Sequence, residues 1–106
     1  MNTTETKLIQ RIKSTVAAVA PDADVILYGS YARGEQTDES DIDILILVNK
    51  SQVTYEEEKM ISYPLYKIES ETGQIISPII FPKDIWESKH YITPFYKNIK
   101  VDGILL

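Results

Sequence analysis

Two apolar runs joined by a short polar connection constrain this chain more than any other feature. Val25 to Tyr28 is β-prone and stops at Gly29, while Asp41 to Val48 reads DIDILILV and is apolar on both sides over most of its length. Within the second run Asp41, Asp43, Leu45 and Leu47 share one face and Ile42, Ile44, Ile46 and Val48 the other, the pattern of a central strand. About a dozen residues separate the runs, so the end of the first meets the start of the second only if they are antiparallel neighbours. The connection opens with Gly29 and Ser30. It continues as a short helix capped by Ser30 and running through Arg33, stops at Gly34, and crosses a polar loop from Glu35 to Ser40. The Gly-Ser turn therefore faces the aspartate pair.

The remaining elements support these two strands. Asn2 with Glu5 forms a capping box, and Leu8, Ile9, Ile12, Val16, Val19 and Ala20 recur at helical spacing until Pro21. Thr54 with Glu57 predicts a second capping box, and Glu56 to Glu58 lie where the helix dipole favours negative charge. That helix is expected to reach about Glu71, with a kink or break at Pro64. After Gly73, Gln74 to Phe81 reads as strand three, with Pro78 implying a bulge or an edge position. Lys83 to Lys89 predicts a short helix, and Thr93, Pro94 and Gly103 frame a terminal one. With 106 residues the expectation is a single domain, residues 1–106, of the α/β (α+β) class. Its core is a small mixed three-stranded sheet flanked by about four helices.

Charge and composition narrow the partners. A formal net charge of -5 disfavours an extended polyanion, so a nucleic-acid partner is not expected. There is no cysteine, hence no disulfide framework and no thiolate metal site. The N-terminal residues lack a basic and an apolar region, and no apolar run approaches the roughly 20 residues that span a bilayer. The expected location is cytoplasmic, with no membrane association.

The chemistry concentrates in the opening stretch. Gly29 lets the backbone approach a ligand closely, and Ser30 adds a hydroxyl and N–H groups at a helix start, which suits phosphate. Asp41 and Asp43 point to one side, as two carboxylates sharing magnesium must. Magnesium is commonly held by one or two carboxylates plus substrate phosphates, so the set describes a metal-nucleotide site. Arg33 is placed to neutralise phosphate charge.

The segment GSYARGEQTDESDID, Gly29 to Asp43, resembles the GSxARGx…SDxD signature of minimal nucleotidyltransferase domains in the polymerase-beta-like superfamily. The resemblance implies the nucleotidyltransferase fold, Gly29, Ser30 and Arg33 as nucleotide and phosphate ligands, and Asp41 and Asp43 as metal ligands and catalytic residues. It implies Mg2+ as cofactor, with Mn2+ as the alternative, and a nucleoside triphosphate, ATP, as substrate. The product would be a nucleoside monophosphate, AMP, on a protein or small-molecule hydroxyl. The implied protein partner is a HEPN-type toxin, with this chain as the antitoxin.

Active members of that family add a third carboxylate from the next strand, whereas QIISPIIF offers only Gln74 and Ser77 as polar side chains. Glu69, Glu71 and Asp84 flank that strand and are the candidates to reach in. Tyr31 stands where an arginine is common in the family. These departures support an alternative reading, a nucleotidyltransferase-fold binding module with weak or no catalysis that acts by occupying a partner protein.

Other residues call for structural explanations. Trp86, Tyr91, Phe95 and Tyr96 fall near helical spacing and are expected in the core. His90, the only histidine, is expected at the surface, and Lys89, Lys97 and Lys100 on a solvated face.

Overall fold

A computed structural model describes residues 1–106. Helix α1 spans Thr3–Val19, and its start is the predicted capping box: Asn2 accepts from the Glu5 N–H, and Glu5 accepts from the Asn2 N–H. Strand β1, Asp24–Tyr28, is followed by the four-residue helix α2, Ser30–Arg33, and by β2, Ile42–Val48. Helix α3 spans Tyr55–Thr72 and β3 Ile76–Pro82, and then come α4, Lys83–Lys89, α5, Pro94–Asp102, and β4, Ile104–Leu105.

The sheet has four strands in the order β3-β2-β1-β4. Strands β1 and β2 are antiparallel, with Tyr28 opposite Asp43, and β2 and β3 are parallel, with Ser77 beside Asp43. The expectation of three strands is corrected by β4, which adds Ile104 and Leu105 to the free edge of β1 opposite Leu27 and Ile26. The helices number five, counting the one-turn α2. Strand β3 begins at Ile76, two residues later than expected, and its register with β2 is continuous to Pro82. Pro78 therefore marks an edge strand and not a bulge.

Two cores form on the two faces of β2. Ile42, Ile44, Ile46 and Val48 pack with Ile9, Ile12 and Val16 of α1 and Ile61, Leu65 and Ile68 of α3. Leu45 and Leu47 pack on the other side with Trp86 of α4 and Ile99 of α5. The aromatic cluster belongs to this second core, where Trp86 is buried and Phe95 and Tyr96 are partly so; Tyr91 is exposed. His90 is not a free surface residue: it is half-buried, its ring 4.5 Å from Phe81 and 5.7 Å from Trp86.

Helix α3 runs unbroken through Pro64. Its Thr54 cap accepts from the Glu57 N–H, but Glu57 returns to the Thr54 hydroxyl and binds Lys50 at 2.7 Å, so the reciprocal backbone bond of a full capping box does not form. No helix is long and apolar enough to cross a membrane.

Candidate active site

The end of β1, helix α2 and the start of β2 meet at one corner of the sheet. Gly29 has φ 75° and ψ -155°, a conformation that a side chain strongly disfavours. It also lies against Asp43, so that a Cβ at position 29 would overlap the Asp43 carboxylate. Two independent constraints therefore demand glycine there. The Gly29 carbonyl accepts from Arg33, and Gly29 rather than Ser30 is the cap of α2, which places Ser30 at the first helical position without a side-chain cap. Gly34 ends the turn with φ 72°.

Asp41 lies just before β2 and is exposed, while Asp43 lies within β2 and is half-buried. Burial pushes the Asp43 carboxyl above its ordinary range, Asp41 adds to the rise, and Arg33 opposes it. The Tyr28 phenol, across the ladder from Asp43, is pushed up to about 12, chiefly by burial and then by the Asp43 charge. Neither aspartate is ion-paired with a Lys or Arg. This corner thus carries concentrated negative charge that a cation would relieve, and its hard oxygen donors suit Mg2+ completed by phosphate oxygens. No group of three His, Asp or Glu side chains is assembled for a metal anywhere in the protein.

Arg33 stands between the turn and α5. Its Nε is 3.3 Å from Glu35 and its guanidinium 3.9 Å from Asp102. Tyr31 packs into the core on the α1/α3 side: it is 5% exposed, and its hydroxyl donates to Gln74 Oε1 at 3.1 Å. The Gln74 amide then donates to the Ser40 carbonyl at 2.7 Å. One side chain from the residues before β3 thereby fastens α2 to the loop that delivers Asp41.

Residues 6–106 match the family model described as Nucleotidyltransferase domain. The chain belongs to this nucleotidyltransferase family. Two relatives from Methanocaldococcus jannaschii, named putative protein adenylyltransferases MJ0141 and MJ0604, are 38% and 33% identical to it over 82 residues. The first alignment covers 74% of this chain and 81% of the relative, the second 77% and 75%. A crystal structure of a toxin-antitoxin with AMP-PNP has the same fold, with a TM-score of 0.65 at 20% identity over 91% of this chain and 69% of the other.

Within this nucleotidyltransferase, the three candidates for a further carboxylate do not enter the corner. Glu69 and Glu71 belong to α3, which packs on the Ile42–Ile44–Ile46 face, behind the sheet from Asp43. Glu69 accepts from the Ile76 N–H at 2.8 Å, and Glu71 pairs with Arg11, which holds its carboxyl below the usual range. Asp84 lies in α4, just past Pro82, the partner of Val48, so it belongs to the opposite end of β2, an end that is five residues or about 17 Å along the strand from Asp43. The side chain of β3 beside Asp43 is Ser77.

Sequence reasoning assigned no role to Gln74 or Tyr28. The Tyr28–Asp43 pairing was accessible from the antiparallel connection, whereas the Gln74 link joins residues far apart in sequence and has no local signal.

Proposed function

We propose that this protein is a magnesium-dependent nucleotidyltransferase that moves AMP from ATP to a hydroxyl of a partner protein. The observation that carries the reading is the seating of Gly29 on the Asp43 carboxylate with Asp41 alongside, which supports reading the turn as a phosphate site and the two carboxylates as metal ligands. Gly29, Ser30 and Arg33 would bind the triphosphate, and Asp41 and Asp43 would hold Mg2+ or Mn2+. The bound metal supplies charge neutralisation at the reacting phosphate. The acceptor oxygen bonds to the α-phosphorus as the bond to pyrophosphate breaks, and the acceptor proton leaves to solvent. The names of the relatives favour AMP as the group and a protein as the acceptor, and the toxin-antitoxin neighbour favours a toxin as the first partner to test; the HEPN type is what the sequence resemblance implies.

Labelled ATP, magnesium and the product of the neighbouring gene should give an acceptor heavier by one AMP. Asp41→Asn with Asp43→Asn should lower the rate about a thousandfold, in line with the several kcal/mol a catalytic metal supplies. Transfer that persists in the double variant removes these carboxylates from the reaction. Ser77 beside Asp43 favours a second reading, a binding module that inhibits its partner without transfer. Undiminished inhibition by the double variant would select it.

A further inference from the structure

Asp41 is held differently from Asp43. It is exposed and precedes β2, so the ladders that fix Asp43 between Tyr28 and Ser77 do not include it. Its direction is set by the peptide groups on either side, because the backbone has only two soft angles between consecutive peptide planes. Both groups are grasped from one place, the pair of residues that leads into β3. The carbonyl of the Ser40–Asp41 peptide accepts from the Gln74 amide at 2.7 Å, and the N–H of the Asp41–Ile42 peptide donates to the Ile75 carbonyl at 2.9 Å.

The second bond needs only backbone at position 75, whereas the first depends on the side chain at 74. A carbonyl can only accept, so the Gln74 NH₂ must face Ser40, which leaves its Oε1 to the Tyr31 hydroxyl at 3.1 Å. A carboxylate of the same shape could accept from Tyr31 but could not donate to Ser40. Gln74 is itself pinned: its N–H donates to the Thr72 hydroxyl at 3.2 Å, which donates in turn to the Ile68 carbonyl at 2.8 Å. Helix α3 is thereby linked through one amide to α2 and to the residue before Asp41.

We propose that Gln74 is a positioning residue for the divalent cation: by holding the Ser40 carbonyl it fixes the angle at which Asp41 joins Asp43. This role rests on the reading of Asp41 and Asp43 as metal ligands, and it involves no contact between Gln74 and metal or nucleotide. Partners placed behind metal ligands commonly change metal affinity by roughly 10–100-fold.

Equilibrium binding of a fluorescent, non-hydrolysable ATP analogue, measured with magnesium and again with a chelator, tests this on the wild type, Gln74→Met and Tyr31→Phe. Gln74→Met keeps the side-chain length and loses both bonds; it should cut the gain in affinity that magnesium brings roughly tenfold and leave metal-free binding unchanged. Tyr31→Phe, which keeps the Ser40 bond, should cut that gain about threefold and carries the test if Gln74→Met does not fold. The double variant should be no worse than Gln74→Met, because both residues act through one brace. In the metal-free protein, Gln74→Met should speed amide hydrogen exchange at Ile42 and leave Ile44 and Ile46, deeper in β2, as they are. An undiminished magnesium gain, equal weakening with and without magnesium, or unchanged exchange at Ile42 would each overturn the positioning role and leave the transfer reading standing. A wild type that gains nothing from magnesium would overturn both.

Discussion

The two faces of β2 are made by the same alternation of side chains, yet they end differently. On the α1/α3 side Ile42, Ile44, Ile46 and Val48 are buried along the whole strand. On the α4/α5 side Leu45 and Leu47 are buried under Trp86 and Ile99, and the row then emerges as Asp43 and Asp41 at the open end. The first face supplies stability alone, and the second is stable at one end and charged at the other. A rigid central strand thereby fixes Asp43 to the core through its own neighbours, Ile42 and Ile44, without requiring the carboxylate to be buried.

The largest effect should come from the closed face. Ile44→Ala removes a fully buried side chain and should cost about 2–5 kcal/mol in chemical denaturation, with loss of activity following only from unfolding. Comparable stability in that variant would mean that the two faces are not energetically distinct in the way described. Gly29→Ala should cost less stability, about 1–3 kcal/mol, because it combines a disfavoured φ with displacement of Asp43. Unlike Ile44→Ala, it should abolish magnesium-dependent nucleotide binding even at temperatures where the protein stays folded. Binding at the wild-type level in a folded Gly29→Ala protein would separate the turn from the carboxylates.

The smallest effect sharpens the contrast most. The Asp43 carboxyl is held above its unfolded range, so as pH rises through the ordinary carboxylate range the unfolded chain loses its proton first. Stability then falls until the folded carboxyl has ionised as well. Asp43→Asn should remove that fall and raise stability on the alkaline side of the transition by no more than about 0.5 kcal/mol, since the group is partly hydrated. A net loss of stability in thermal melts of metal-free Asp43→Asn would show that the carboxylate is a structural partner and not a group that burial strains.

Much of this arrangement was legible in the residues. Asn2 with Glu5 announced α1 because a capping box is local, and the length of the connection from Gly29 to Asp41 determined the antiparallel pairing that brings turn and carboxylates together. What was illegible depended on contacts distant in sequence. Strand β4 is two residues long, too short for any alternation, and exists because β1 has a free edge. Tyr31 looked like a defect in a phosphate loop, but its partner Gln74 lies 43 positions away and turns it inward. Glu69, Glu71 and Asp84 were indistinguishable as candidates until the face of the sheet and the end of the strand to which each belongs were known.

The outer edge of β3 has a consequence for how other proteins approach. Ile75 gives its carbonyl to Ile42, so by alternation the backbone groups of Ile76, Pro78, Ile80 and Pro82 point away from the sheet. Glu69 already occupies the Ile76 N–H, and the two prolines have none, leaving Ile80 as the one outward donor. An incoming chain would find outward carbonyls but a single free donor, so growth of the sheet from this side, whether into a fibre or into a complex, is disfavoured. Under the proposed function, a protein acceptor that approaches from this side would be recognised through side chains and not through added backbone pairing.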